Sequence, residues 1–185
     1  SKGLCGLRNI GNTCYMNSLL QCLTHEDGLV KSMTTGAYVR DVNRTSVLAH
    51  GGELADAFAR VVTEVHSNDF TVVAPGEFKQ VLGKHFPRFQ GFLQHDAHEV
   101  FMALVDGLHE DLNRVRVRGA LEDLEGEGKT DEAFARETWA AVRRLNDSLV
   151  YDQYYFLLRS YLTCQRCGFK AVKFDPASCV SVPIP

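Results

Sequence analysis

Cys14 is the residue of this sequence best placed to act as a nucleophile. A free thiol ionises near pH 8.5 and is mostly protonated at neutrality, so a reactive cysteine needs surroundings that favour the thiolate. Met16, Leu19, Leu20 and Leu23 follow Cys14 at helical spacing, and Asn12 or Thr13 can cap a helix starting there. A thiol at a helix N-terminus meets the positive end of the dipole and unsatisfied N–H groups, both of which favour the anion. Gly11 lets the chain turn tightly just before it. Asn9 lies upstream, and its amide could donate to an oxyanion alongside the Cys14 N–H, as acyl transfer requires. The same residue types also describe a small buried cysteine behind an asparagine turn, and residue types alone leave both readings open.

A second chemistry is suggested by Cys164-Gln165-Arg166-Cys167-Gly168. Two thiolates on a knuckle between strands supply half of a tetrahedral zinc site. A redox pair is the alternative, but that normally opens a helix in a βαβ setting, which is absent here. Asp96 and Glu99 fall in the first turn of a predicted helix, where carboxylates are favourable whether or not they have a further role. The seven histidines carry no motif of their own and read as surface or packing residues.

The elements that must position these groups form a helical body and a β-rich tail, an α+β chain. Beyond the helix at Cys14, a second runs from about Gly52 with Leu54, Phe58, Val61, Val62 and Val65 on one side. Pro75 suits the first position of a third, around Phe78, Val81 and Leu82. A fourth spans Asp96 to Leu112, with Val100, Phe101, Leu104, Val105 and Leu108 as its apolar face. Residues 115–131 are rich in glycine and mixed charge and read as a mobile surface loop. Helix resumes near Glu132, carrying Phe134, Trp139 and Val142. Strands begin at Tyr154, turn at the Cys164–Gly168 knuckle, return through Phe169 to Phe174, and restart over residues 179–185. Cys5, Cys22 and Cys179 are expected to pack as small hydrophobes.

Composition bounds what the chain can be. Its 185 residues, 45% hydrophobic and 23% charged with a formal net charge of −3, suit a soluble globular domain. An acidic balance argues against electrostatic binding to nucleic acid or an anionic membrane. No apolar run approaches the roughly 20 residues of a membrane span, and the start reads as neither signal peptide nor natural initiation but as an excised piece. Six cysteines could form three disulfides, but their clustering in two terminal groups fits a reducing compartment with one reactive thiol and a metal half-site.

The segment GLRNIGNTCYMNSLLQCL resembles the cysteine box of the ubiquitin-specific proteases, with the nucleophile on Cys14, the oxyanion-hole asparagine on Asn9, and Asn12, Tyr15, Asn17 and Ser18 matching. Phe92-Leu93-Gln94-His95-Asp96-Ala97-His98-Glu99 resembles the family's second box, departing from it at His95, where the pattern has glutamine. The stretches 104–114, 144–148 and 174–185 also look like this family, most like a subgroup whose catalytic domain is split by an insert. The resemblance implies a papain-like cysteine protease fold, seen incomplete: a helical thumb over 1–150, the start of β fingers over 151–185, and a missing half with the catalytic histidine box and its Asp or Asn partner. It implies a deubiquitinase cutting after the last glycine of ubiquitin, with Asp96 facing ubiquitin's basic tail and Gln94 near the active centre. It further implies structural zinc on Cys164 and Cys167 with two ligands from elsewhere, and no organic cofactor. The expected partners are ubiquitin, ubiquitinated proteins and the other half of the catalytic domain, and the expected location is cytoplasm or nucleus. Two rival readings are a catalytically dead ubiquitin-binding module and a zinc-knuckle interaction or nucleic-acid module. The intact Asn9/Cys14 pair opposes the first; the acidic charge and single CxxC oppose the second.

Overall fold

The computed structural model describes residues 3–121, 124, 126 and 128–183; part of the 115–131 loop and the last two positions of the expected final strand lie outside them. In chain order the elements are β1 (Gly6–Leu7), α1 (Cys14–Leu23), α2 (Asp27–Thr34), α3 (Glu53–His66), β2 (Val72–Val73), α4 (Gly76–His85), α5 (Ala97–Leu112), α6 (Asp131–Arg143), α7 (Leu149–Tyr154), β3 (Phe156–Thr163) and β4 (Lys170–Ala177). Short 3-10 turns at Ala37–Arg40 and Pro87–Phe89 complete the body. The molecule is mixed α and β, mostly helical, with one long hairpin.

The apolar stripes read from the sequence become one core. Leu20 of α1, Phe58 and Val62 of α3, Phe78 and Leu82 of α4, and Leu104 and Leu108 of α5 are almost wholly buried in one cluster. Burying residues of this size removes the apolar surface that drives folding, on the order of 2 kcal/mol each. β1 and β2 form a two-residue parallel pair, Gly6 beside Val72 and Leu7 beside Val73, which fixes the approach of the chain to Cys14.

A buried carboxylate joins α3 to α5. Asp111, fully buried, accepts from the backbone N–H groups of His50, Gly52, Leu54 and Ala55, at 2.6 to 3.2 Å. The last three are orphan donors of the α3 start, where Gly52 occupies the cap position and supplies no side chain. One acid near the end of one helix therefore caps the beginning of another. Asn113, just beyond it, accepts from Asp147 and Val115 N–H and donates to the Leu145 carbonyl. His109 sits beside this junction, with Nδ1 2.8 Å from Ser148 Oγ and Nε2 3.0 Å from Asn146 Oδ1. An amide oxygen only accepts, so Nε2 carries the proton and Nδ1 takes the serine hydroxyl.

The sequence reading differs from the structure in several places. α2 and α7 were not expected; each is short, and only Leu29 and Met33 of α2 and Val150 and Tyr151 of α7 are buried. Short helices with two apolar contacts give little periodic signal. Pro75 takes the cap position rather than the first helical one, its carbonyl accepting from Lys79 N–H. α6 begins at Asp131, capped by Thr130, whose hydroxyl accepts from Ala133 N–H. Residues 179–183 form no strand: Val180 and Val182 alternate as a strand would, but no neighbouring strand pairs with them among the described residues, and Val182 is exposed. Cys22 does not pack inside; it is exposed on α1, beside the buried stripe that carries Leu19 and Leu23. Cys5 is buried as expected, and Cys179, half-buried past the end of β4, lies 3.4 Å from His98 Nε2.

The hairpin is regular. β3 and β4 pair antiparallel from Phe156 opposite Ala177 to Thr163 opposite Lys170. Its side chains are largely exposed, and it meets the helical body where Phe174 packs edge-on against Phe134 and Arg159 pairs with Asp131 at 2.6 Å. Cys164 to Gly168 makes the tip, closed by hydrogen bonds from Gly168 N–H to the Cys164 carbonyl and from Cys164 N–H to the Phe169 carbonyl. Gly168 has φ +71°, the left-handed backbone that glycine tolerates best.

Two predictions follow from the buried polar groups. Asp111→Ala leaves buried N–H groups unpaired, and its cost is expected at about 3 kcal/mol, read as a fall of ~10 °C in thermal midpoint; a midpoint within a degree of wild type would contradict it. Burial lowers the His109 pKa below its ordinary value, so the unfolded chain takes up the proton first. Its stabilising contribution is complete above about pH 6.5 and is lost as pH falls through the lower folded value. Thermal midpoints measured from pH 7 to pH 5 should fall less in His109→Gln than in wild type, and parallel curves would refute the assignment.

Candidate active site

The chain leaves β1 at Leu7 and reaches α1 at Cys14 through a loop with little regular backbone pairing. Its shape is imposed by one side chain. Asn9 Oδ1 accepts from Gly11 N–H at 3.0 Å, from Thr13 N–H at 3.2 Å and from the Thr13 hydroxyl at 3.3 Å. The Thr13 hydroxyl in turn accepts from Ile10 N–H at 3.2 Å. Asn17, one turn into α1, donates to the Leu7 and Arg8 carbonyls and ties the strand exit to the helix. Gly11 has φ +118°, and a Cβ there would lie 2.5 Å from the Phe92 ring. Glycine is required at this position for both backbone and space.

Cys14 is the first residue of α1 and is exposed. Thr13 occupies the cap position, but its hydroxyl is used inside the loop and makes no cap bond to the helix. α2, α5, α6 and α7 all receive a side-chain cap at their own cap position. The expectation that Asn12 or Thr13 caps α1 is therefore corrected. The first turn, including the Cys14 N–H, is left open where the thiol stands. Asn9 is also exposed, and because its carbonyl oxygen is consumed by the loop, its amide NH2 is the part left for other partners.

The second box lies against the first. The Asn12 amide donates to the Phe92 carbonyl at 2.9 Å. Tyr15, buried, takes the His95 ring edge-on at 5.1 Å and stacks with Phe89 at 6.3 Å. His95 also meets Phe89 edge-on at 5.2 Å, and its buried Nε2 has no protein partner. The departure at His95 is thus a ring wedged between two aromatic residues next to the loop that leads into Cys14. Lys79 of α4 donates to the Tyr15 hydroxyl at 3.0 Å and to the Phe89 carbonyl. Neither contact carries a motif in the sequence; only the tertiary structure brings Lys79 to Tyr15.

Asp96 caps α5, its Oδ1 accepting from His98 N–H at 2.7 Å, and it is exposed, as is Gln94. The other histidines have partners elsewhere: His25 with the Gln21 and Gly3 carbonyls, His66 with the Thr24 carbonyl, His85 with Glu53, and His50 against His85 and Phe86. Among the described residues none is hydrogen-bonded to Cys14. Phe92 and Leu93, beside this site, are 71% and 73% exposed.

Cys164 and Cys167 are exposed at the hairpin tip. The backbone N–H groups of Cys167 and Arg166, with the Cys167 side chain, hold the Cys164 thiol below its ordinary value, the state a metal ligand needs. Among the described residues no group of three or more histidines, cysteines or carboxylates is placed to hold a metal, so the tip offers two thiol ligands. Among those residues, too, no helix is long and apolar enough to cross a membrane.

Comparison with known proteins shows the family to which the chain belongs. The profile of the family described as "Ubiquitin carboxyl-terminal hydrolase" matches residues 5–177. The rat protein "Ubiquitin carboxyl-terminal hydrolase 4" is 40% identical over 183 residues, which are 99% of this chain and 19% of that protein. The human protein "Ubiquitin carboxyl-terminal hydrolase 15" is 37% identical over the same shares. The chain therefore spans about a fifth of the length of these relatives. Among solved structures, the SAGA DUB module Ubp8/Sgf11/Sus1/Sgf73 bound to monoubiquitin superposes with TM-score 0.65 at 19% identity, covering 95% of this chain and 34% of that one. The same module bound to ubiquitin aldehyde gives 0.61 at 20% identity. The fold is shared with part of those chains, and by its sequence this chain belongs to the ubiquitin carboxyl-terminal hydrolase family.

Proposed function

We propose that the protein carrying this chain is a deubiquitinating cysteine protease with Cys14 as nucleophile and Asn9 as oxyanion donor. The observation that carries this reading is an exposed thiol on the uncapped first turn of α1, with the spare amide of Asn9 on the same loop. Residues 1–150 are the helical thumb and 151–185 the start of the fingers of a papain-like domain. A histidine from the remaining half of the domain takes the Cys14 proton. The thiolate attacks the carbonyl of ubiquitin's last glycine, within an isopeptide bond to lysine. The tetrahedral oxyanion accepts from the Asn9 amide and the Cys14 N–H, the lysine amine leaves, and water hydrolyses the thioester.

Asp96 faces the basic tail of ubiquitin and Gln94 stands near the active centre. The exposure of both and the docking of their segment on the nucleophile loop support this. Cys164 and Cys167 supply two of four ligands to a structural zinc ion, which would cross-link the hairpin tip to another part of the domain. The partners are ubiquitin, ubiquitinated proteins and the other half of the catalytic domain, and the setting is intracellular.

Hydrolysis of a ubiquitin–fluorophore conjugate by the full-length protein tests the reading. Cys14→Ser should abolish turnover, and the 185-residue chain alone should show little or none. Asn9→Asp keeps the acceptor that shapes the loop but removes the amide donor. It should lower kcat about 100-fold with KM little changed. Wild-type kcat in Asn9→Asp would refute the oxyanion role, and undiminished turnover in Cys14→Ser would refute the nucleophile.

A further inference from the structure

Lys79 lies on α4, which carries none of the residues named in the reaction above, yet its ammonium reaches the residue next to the nucleophile. Nζ donates to the Tyr15 hydroxyl at 3.0 Å and to the Phe89 carbonyl, and it stands 5.7 Å from the centre of the Tyr15 ring. Lys79 is half-buried and has no ion pair among the described residues. A lysine on a helix surface usually extends into water. Holding one in place on two neutral acceptors costs side-chain entropy and hydration, which only the bonds themselves offset.

Those bonds join three elements. Tyr15 belongs to α1, Phe89 closes the 3-10 turn before the second box, and Lys79 comes from α4. The far end of the same segment is held independently, by the Asn12 amide on the Phe92 carbonyl. Cys14 therefore sits between two anchors, Asn12 two residues before it and Tyr15 directly after it. Both anchors fasten to the one stretch that leads into Gln94 and Asp96. His95 meets Tyr15 and Phe89 edge-on and sets the tilt of those rings, without a hydrogen bond to either. Of these contacts, only the Lys79 bond is a hydrogen bond to the Tyr15 hydroxyl at the tip of the ring.

We propose that Lys79 is a positioning residue: by holding Tyr15 and the Phe89 carbonyl together it fixes the first turn of α1, and with it the Cys14 thiol, against the segment proposed to receive the ubiquitin tail. The catalytic consequence rests on the protease reading above; the effect on the thiol's geometry does not. An error of an ångström at a reacting atom lowers the rate without weakening binding far from it.

The test uses Lys79→Met, Lys79→Arg and Tyr15→Phe in the full-length protein. Lys79→Met keeps the apolar stem, and should lower kcat on a ubiquitin–fluorophore about tenfold to a hundredfold with KM and thermal midpoint near wild type. Tyr15→Phe removes only the accepting hydroxyl and should act in the same direction, which keeps the claim testable if Lys79→Met folds poorly. Lys79→Arg restores the donors and should recover most of the rate. In parallel, iodoacetamide alkylation of Cys14 is followed by mass spectrometry against Cys22, an exposed thiol on the same helix. The Cys14-to-Cys22 ratio should change severalfold in Lys79→Met. Wild-type kcat together with an unchanged ratio would overturn the proposal, as would a loss of rate that only tracks the unfolded fraction. If the wild-type protein fails to cleave ubiquitin, the protease reading fails, while the alkylation ratio still decides the role of Lys79.

Discussion

Asn9 Oδ1 gathers two backbone N–H groups and a hydroxyl, and the loop in front of Cys14 has its shape because of that oxygen. Six residues between a two-residue strand and a helix cannot fix their own conformation through ladder hydrogen bonds. The carboxamide substitutes for them. Using the oxygen in this way decides two further things: the amide NH2 is left over, and the Thr13 hydroxyl is drawn away from capping α1. The helix then begins with unsatisfied donors beside an exposed thiol. One end of the Asn9 side chain shapes the loop, and the other end is left facing solvent.

Support for that loop comes from the segment 89–96, and support for the segment comes from the core. Phe89 is fully buried, Asp96 caps α5, and the far end of α5 is locked to α3 by Asp111. The chain Asp111, α5, His95, Tyr15 runs from a fully buried polar group to the residue after Cys14 through packed elements. Exposed Phe92 and Leu93, by contrast, leave an apolar surface beside the site.

Much of this was legible in the sequence because the long helices bury regular stripes. Leu54, Phe58, Val62 and Val65 announce α3, and Val100, Leu104 and Leu108 announce α5, since burial and period agree. Asn9, Cys14, Gln94 and Asp96 stand out through the resemblance of their segments to the family's two boxes. What escaped was tertiary. Asp111 looks like one more acid in a helix, and its four N–H partners come from residues 50–55, which nothing local predicts. Lys79 looks like a surface lysine until α1 is laid beside α4. Thr13 reads as a cap because its type suits one, and the competing claim of Asn9 is visible only in three dimensions. The expected strand over residues 179–185 shows the same limit: Val180 and Val182 alternate, but a strand needs a partner. Cys164 and Cys167 were readable as a knuckle because a turn of that length between strands has few solutions, and Gly168 at φ +71° closes it.

The most direct measurement is covalent capture. Full-length protein is incubated with ubiquitin bearing a thiol-reactive group in place of its C-terminal carboxylate, and the adduct is mapped by mass spectrometry. An acyl-transfer site built on Cys14 predicts one ubiquitin per molecule, bonded to Cys14, and no adduct in Cys14→Ser. An adduct on Cys22, Cys164, Cys167 or Cys179, or no adduct while iodoacetamide still modifies Cys14, would contradict the account.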